Sequence, residues 1–231
     1  MEILIEEKYK GKITSSLVKD LFREVVYVNP ENLRGSRGAV VRKSISGLNI
    51  VIRMYRRGGM ARFVFSNVFL KTPFTKLKET RPYREFHVLK LLTDLPVPSP
   101  VAAAVRFHKF TYSGIIITKE IPLSHSLLQH STHNHEFTKK CVQKAGLIAR
   151  AIVEKGVYHP DLHLGNVLYQ GSGDVFIIDF DRASILKTNE QKKNALKKIS
   201  KRWSRSVRKW KGHEAAMLAV YEKPFISALF K

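Results

Sequence analysis

Two carboxylates and one amide in the second half of the chain have the spacing of a phosphoryl-transfer site. Asp161 and Asn166 stand five positions apart, and Asp179 ends the apolar run Val175–Ile178. Phosphoryl transfer uses one carboxylate to orient the acceptor hydroxyl and take its proton, then an amide oxygen and a second carboxylate to hold magnesium. Magnesium prefers oxygen ligands and shares them with nucleotide phosphates. The pattern predicts Asp161 as the catalytic residue, with Asn166 and Asp179 as metal ligands.

Each of these residues alone is weak evidence, because Asp and Asn are common in turns, where their side chains bond to nearby backbone. The combination of an apolar strand, the D-x-x-x-x-N loop and a second apolar run ending in aspartate is far more specific.

The first half of the chain is rich in β-like runs. Residues 38–42 and 48–55 flank the turn residues Ser46-Gly47 and predict a hairpin. Two further β-like runs cover residues 101–107 and 114–121.

A helix over residues 82–92 follows the hairpin, with proline in its first turn. Its predicted buried face consists of Glu85, Val88, Leu89 and Leu92. A buried carboxylate needs a partner, so Glu85 is either at a solvated helix edge or paired with a cation on a neighbouring strand.

The second half is mainly helical. The proline-rich connector at residues 95–100 separates the predicted helix from the later strands, and an apolar helical stripe stops at Gly156. Residues 192–211 form a basic amphipathic pattern. We expect an α+β fold of two lobes with a cleft between them: a strand-rich lobe with one helix over residues 1–121, and a compact helical lobe over residues 122–231.

Charge and cysteine content narrow the functional classes. The chain of 231 residues has 41 basic and 19 acidic residues, a net charge of +22, so polyanions are its expected partners: nucleic acid, an anionic membrane or phosphorylated substrates. Cys141 is the only cysteine, which excludes an intrachain disulfide. The acidic N-terminus does not fit a secretory signal, and no run reaches the roughly 18 apolar residues of a membrane span. We therefore expect a cytoplasmic protein whose membrane contact is peripheral.

These motifs resemble the protein-kinase-like superfamily, and the resemblance extends over most of the chain. His159-Pro160-Asp161 is similar to the kinase H-R-D motif, Asn166 to its asparagine, and Asp179-Phe180-Asp181 to D-F-G with the glycine replaced. Arg53 takes the place of the strand lysine and Glu85 that of its helix partner. The resemblance implies ATP and Mg²⁺ as cofactors, with Arg53 and Glu85 at the nucleotide phosphates.

Two departures from the kinase pattern concern the nucleotide. Arginine at position 53 keeps the charge of lysine but is longer and planar. The glycine loop contains only Gly35 and Gly38, to which the resemblance assigns nucleotide contact. About fifty residues follow Asp179, without an A-P-E element, which favours a small-molecule or lipid-linked sugar acceptor over a protein.

Within the superfamily, four stretches resemble the lipopolysaccharide kinase group: residues 52–59, 81–86, 95–100 and 178–182. This resemblance implies phosphorylation of a sugar hydroxyl in the lipopolysaccharide inner core. The expected acceptor is the 4-hydroxyl of 3-deoxy-D-manno-octulosonic acid (Kdo) on a Kdo-lipid A precursor. We expect the enzyme on the cytoplasmic face of the inner membrane, with no obligate protein partner.

Arg56 and Arg57, beside a glycine pair, either belong to a segment that packs within the first lobe or contact the substrate, and His163 either contacts the substrate or packs. The basic helix over residues 192–211 either docks its apolar stripe on the core or faces an anionic bilayer. Two alternatives stay open: a heptose, other small-molecule or atypical protein kinase on the same fold, and a non-catalytic module that binds nucleic acid or membranes. An RNA-recognition motif is missing from the sequence, and a binding module has no chemical need for Asp161, Asn166 and Asp179 together.

Overall fold

A computed structural model of the chain describes residues 1–28, 38–55, 69–70, 76–109, 111–129 and 135–231. It divides into two compact units, Met1–Lys90 with Ser99–Glu120, and Leu91–Pro98 with Ile121–Lys231. Both units contain helices and antiparallel strands, which confirms the predicted α+β composition. Within the described ranges, no helix has the length and apolar character needed to cross a membrane.

The first unit is built on a six-stranded antiparallel sheet. Its strands are β1 Glu2–Ile5, β2 Gly38–Ile45, β3 Leu48–Tyr55, β4 Phe69–Leu70, β5 Pro100–Phe107 and β6 Thr111–Lys119. They lie in the order β1-β5-β6-β3-β2, and β4 pairs with β6. The predicted hairpin is confirmed: β2 pairs with β3 along its whole length, and Ser46 and Gly47 turn the chain with φ of 50° and 72°. Positive φ at both positions is typical of a tight hairpin turn.

A helix that the sequence analysis did not predict covers one face of this sheet. Helix α1, Ser15–Arg23, begins at Thr14, whose hydroxyl accepts a hydrogen bond from the Leu17 N–H. It buries Val18, Leu21 and Phe22 in one core cluster with Ile50, Ile52 and Met54 of β3. The prediction of a single helix in this half of the chain is therefore wrong.

Helix α2, Arg81–Leu91, has the predicted buried face. Glu85, Val88, Leu89 and the following Leu92 are all buried. Gly114 of β6 allows the start of this helix to lie close to the sheet, because a Cβ at that position would stand 2.4 Å from Pro82 Cγ.

The second unit contains four α-helices among its described residues: α3 His135–Glu154, α4 Asn189–Lys211, α5 Ala215–Tyr221 and α6 Lys223–Leu229. Five short strands accompany them: β7 Ser124–Ser126, β8 Val157–Tyr158, β9 Val167–Gln170, β10 Val175–Ile177 and β11 Ser184–Ile185. Helices α3 and α6 approach closely at Gly146, where a Cβ would stand 2.5 Å from the Phe225 carbonyl oxygen. Cys141 is buried in α3, and burial raises the pKa of its thiol.

The basic helix is confirmed as α4, and its apolar stripe packs inside the second unit. Ile199, Trp203 and Val207 are buried. The Trp203 ring stacks on Phe225, with centroids 3.9 Å apart, and its indole N–H donates to the Tyr221 carbonyl oxygen over 2.7 Å. The helix begins with a capping box between Thr188 and Gln191 and ends at Gly212. These contacts fix α4 beside the loop that follows β8.

Candidate active site

The loop between β8 and β9 begins at His159, which is buried. Its Nε2 lies 3.1 Å from the Ile178 carbonyl oxygen, and its ring meets the Phe180 ring edge-on, with centroids 4.9 Å apart. Burial lowers the pKa of His159, so the imidazole is neutral and donates from Nε2 to the carbonyl. The contact agrees with an anchoring role for His159.

Asn166 connects the end of this loop to the residues that precede Asp179. Its side-chain Nδ2 donates to the Asp161 backbone oxygen over 3.0 Å, and its own backbone oxygen accepts from the Ile178 N–H over 3.0 Å. Because the amide nitrogen has a partner within the loop, the amide oxygen Oδ1 is the atom left to bind a cation.

Asp179 directly follows Ile178 and has a φ of 71°. A non-glycine residue in the left-handed region is strained, and such conformations are concentrated at functional sites. The structure thus brings the Asn166 amide and the Asp179 backbone to neighbouring strand ends, since β9 and β10 pair at Val167 and Ile177. An amide oxygen and a carboxylate form a donor set that fits Mg²⁺.

Asp161 has a partner that the sequence analysis did not identify. Arg202 of α4 donates to Asp161 Oδ1 from both Nε, over 3.0 Å, and Nη2, over 2.8 Å. Partial burial raises the pKa of the Asp161 carboxyl, but the hydrogen bonds and charge of Arg202 outweigh burial and hold that pKa below its usual value. The carboxylate is therefore ionised and ready to accept a proton at neutral pH.

His163 lies on the same loop and is half-buried. Its Nδ1 accepts a hydrogen bond from the Gly165 N–H over 3.0 Å, and its ring lies against that of Trp210, with centroids 5.2 Å apart. Burial lowers the pKa of His163, which favours the neutral ring. Its predicted substrate contact stays a prediction.

In the first unit, Arg53 and Glu85 form the predicted ion pair. Strand alternation places Arg53 and Tyr55 on the face of β3 opposite the α1 core. Arg53 Nη2 donates to Glu85 Oε1, and the Tyr55 hydroxyl donates to Glu85 Oε2. Gly38 pairs with Tyr55 across the β2–β3 ladder, two positions along β2 from Val40, which pairs with Arg53.

The predicted site residues thus form two groups, each within one unit. Asp161, His163, Asn166 and Asp179 lie in the second unit, and Gly38, Arg53 and Glu85 in the first. The remaining predicted residues, Gly35, Arg56 and Arg57, lie outside the described residues.

Sequence reasoning missed several contacts of the site: Tyr55 on Glu85, Arg202 on Asp161, Trp210 on His163, and the Ser206 hydroxyl, which accepts a hydrogen bond from the Leu164 N–H over 3.1 Å. The only available signal was the spacing of four between Arg202 and Ser206 on the predicted helix.

Comparisons with known proteins identify the family to which the sequence is similar. A family model described as "Lipopolysaccharide kinase (Kdo/WaaP) family" matches residues 9–221. A 3-deoxy-D-manno-octulosonic acid kinase of Vibrio cholerae is 29% identical over 180 residues, which cover 74% of this chain and 74% of the relative. Proteins of the same name from Vibrio parahaemolyticus and Mannheimia succiniciproducens are 27% and 28% identical, over 79% and 76% of this chain and 77% and 74% of their own lengths.

Proposed function

The chain belongs to the lipopolysaccharide kinase (Kdo/WaaP) family and is a kinase, and we propose that it transfers the γ-phosphoryl group of ATP to the 4-hydroxyl of Kdo on a lipid A precursor. The observation that carries this proposal is a pair of hydrogen bonds in a chain whose relatives are named as Kdo kinases: Asn166 Nδ2 donates to the Asp161 backbone oxygen, and the N–H of Ile178, which precedes Asp179, donates to the Asn166 backbone oxygen. The proposed reaction is a step in the synthesis of the lipopolysaccharide inner core.

Asp161 is the proposed catalytic residue. In the proposed step, its carboxylate accepts the proton of the sugar hydroxyl while the hydroxyl oxygen forms a bond to the γ-phosphorus. The bond between the γ-phosphorus and the β,γ-bridging oxygen breaks, and ADP leaves with that electron pair. The proton passes from Asp161 to solvent after release of the products.

Asn166 Oδ1 and the Asp179 carboxylate are the proposed ligands of Mg²⁺. The bond from Asn166 Nδ2 to the Asp161 backbone oxygen supports this role, because it holds the amide with its oxygen available. When bound, Mg²⁺ neutralises charge on the nucleotide phosphates.

Arg53 is proposed to contact the phosphates of ATP. Its bond to the buried Glu85 supports this role, because the carboxylate holds the cationic guanidinium in a defined orientation on β3. Gly35 and Gly38 are proposed to approach the nucleotide through their backbone, since a glycine allows closer contact than any other residue.

Acceptor binding is proposed for His163, Arg56 and Arg57, and membrane association for the exposed side of α4. An exposed row of cations at intervals of four runs along this helix: Lys193, Lys197, Lys201 and Arg205. Each cation near an anionic bilayer contributes on the order of 1 kcal/mol. Together with the net charge of +22, this row supports peripheral binding at the cytoplasmic face of the membrane that carries the lipid acceptor.

The test is transfer of phosphate from γ-labelled ATP, with Mg²⁺, to a Kdo-bearing lipid A precursor. Heptose-bearing lipopolysaccharide, a protein mixture and RNA serve as comparison acceptors. We expect label on the Kdo lipid, and mapping of the labelled lipid should place the phosphate at the 4-position. Label on another acceptor alone would overturn the proposed substrate.

The Asp161→Asn variant is the matched control for the chemistry. It retains the backbone oxygen that binds Asn166 but removes the proton-accepting carboxylate. We expect turnover to fall by about 10²–10⁴-fold, with an unchanged thermal unfolding midpoint. Normal turnover by this variant would exclude Asp161 as the catalytic base.

A further inference from the structure

One face of α4 makes three contacts with the catalytic loop, which is the loop between β8 and β9. Arg202, Ser206 and Trp210 follow each other at intervals of four and so share a helix face. Arg202 binds the Asp161 carboxylate, Ser206 accepts from the Leu164 N–H, and Trp210 packs on His163. The helix is itself fixed by the Trp203 contacts to α5 and α6. The loop therefore rests against a rigid element at three points.

The contact at Asp161 is selective for one oxygen. Both Arg202 donors converge on Oδ1, and among the described residues no donor reaches Oδ2. A carboxylate held at one oxygen by two N–H groups has a fixed side-chain rotamer, and its second oxygen points in a defined direction. That oxygen is the one left to accept the proton of a substrate hydroxyl.

We infer that Arg202 is a positioning residue, which orients the Asp161 carboxylate so that Oδ2 accepts the proton of the sugar hydroxyl. The inference rests on the proposed function for the identity of that hydroxyl. Arg202 cannot take the proton itself, because a guanidinium stays protonated in proteins. Its effect on the reaction therefore passes through Asp161.

A purely stabilising ion pair is the competing explanation. The side chains of Arg202 and Asp161 are 26% and 29% exposed, and partly exposed ion pairs contribute little to stability. A buried stripe on the same helix already docks α4, with Ile199, Trp203 and Val207 as its largest members. Loss of Arg202 should therefore leave the fold intact while the orientation of Asp161 is lost.

The experiment compares Arg202→Ala with Arg202→Lys and with Arg150→Ala, in the full chain. Arg150 is the matched control, because it pairs with Glu154 on the surface of α3 and has no role in the proposed site. For Arg202→Ala we expect kcat to fall by about 10- to 100-fold, part of the roughly 10²–10⁴-fold that a general base contributes. The KM for ATP should stay at the wild-type value.

Rescue separates orientation from structure. Lysine supplies one donor where arginine supplies two, so Arg202→Lys should recover part of kcat. Guanidinium ion, at concentrations far below those that unfold proteins, should restore part of the kcat of Arg202→Ala and leave Arg150→Ala unchanged. A wild-type kcat in Arg202→Ala, or a loss of kcat that follows a lowered unfolding midpoint and is not rescued, would overturn the inference.

A readout independent of the acceptor distinguishes this inference from the proposed function. The ¹³Cγ resonance of Asp161, assigned by its loss in Asp161→Asn, should shift in Arg202→Ala and not in Arg150→Ala. If the wild-type protein phosphorylates none of the acceptors, the proposed function fails, and the resonance still reports on the contact. An unshifted resonance in Arg202→Ala would show that Arg202 does not hold Asp161.

Discussion

Arg53 donates a hydrogen bond to Glu85, a carboxylate that is only 2% exposed, across 32 positions of sequence. The Tyr55 hydroxyl donates to the other oxygen of the same carboxylate. A buried charge is tolerated only when it is paired and hydrogen-bonded. Strand β3 and helix α2 are therefore joined by a polar contact at a buried carboxylate.

Removal of one partner should be costly to stability. We expect Arg53→Met to lower the free energy of unfolding by about 3–5 kcal/mol, because it removes a hydrogen-bonded cation from the buried Glu85 carboxylate. Urea denaturation measures the change. Glu85→Gln should cost less, since its amide oxygen still accepts a hydrogen bond. Glu7→Ala, at a carboxylate that is 79% exposed and paired on the surface with Lys10, is the control and should change stability by less than about 1 kcal/mol.

Asp179→Asn should raise the Mg²⁺ concentration needed for half-maximal activity. An amide is a weaker ligand than a carboxylate, and even the outer partners of bound metals are worth about 10- to 100-fold in affinity. Asparagine tolerates the positive φ at this position, so the backbone should be retained. Activity measured across a Mg²⁺ titration gives the shift. The control, Asp174→Asn in an exposed turn, should keep the wild-type requirement, and an equal requirement in both variants would contradict a metal role for Asp179.

The elements around these residues differ in how far the sequence could predict them. The hairpin and the Glu85 face follow from local patterns, namely alternation at a period of two and apolar spacing at three and four. Asp161, Asn166 and Asp179 lie close together in sequence, so a phosphoryl-transfer site could be predicted from their types and spacing.

Arg202 could not be identified in the same way. It lies 41 positions from Asp161, on a helix crowded with Lys and Arg, and only the folded chain shows which cation meets the carboxylate. Helix α1 was missed because it is short, with nine residues, and its buried positions are Val18, Leu21 and Phe22 alone. Strands of two or three residues, such as β8 and β11, are too short to show an alternating pattern in the sequence. They are recognised only by their pairing with each other.

Tyr221→Phe should leave stability at neutral pH unchanged or raise it by up to about 1 kcal/mol. The Tyr221 hydroxyl is buried and has no hydrogen-bond partner among the described residues, so its removal ends a desolvation cost.

The free energy of unfolding of the same variant should fall less in alkaline solution than that of the wild type. Burial raises the pKa of Tyr221 to about 12, against roughly 10 in an unfolded chain. Between these values only the unfolded chain loses the proton, which favours unfolding. Ionisation of Tyr221 therefore leaves the free energy of unfolding unchanged below pH 10 and lowers it as pH rises toward 12. From pH 9 to pH 11, urea denaturation should show a decrease about 1 kcal/mol larger for wild type than for Tyr221→Phe. Equal decreases would contradict the raised pKa.

Gly146→Ala should destabilise the protein, although alanine favours a helix by about 1 kcal/mol over glycine. The added methyl group would stand 2.5 Å from the Phe225 carbonyl oxygen and 2.9 Å from the Ala228 Cβ, so α3 and α6 would have to move apart. Overpacking of this kind costs about 1–3 kcal/mol. The thermal unfolding midpoint should fall, whereas it should stay near the wild-type value in Gly171→Ala, where nothing lies within 4 Å of the added group.

The burial of Cys141 makes the natural chain a convenient background for site-specific labelling. Cys141 is the only cysteine, it is buried in α3, and burial raises the pKa of its thiol, so it should not react with maleimide dyes while the protein is folded. One new cysteine on the surface of each unit, such as Glu7→Cys and Asp174→Cys, would then carry a fluorophore pair. Energy transfer between the dyes would measure the distance between the two labelled positions.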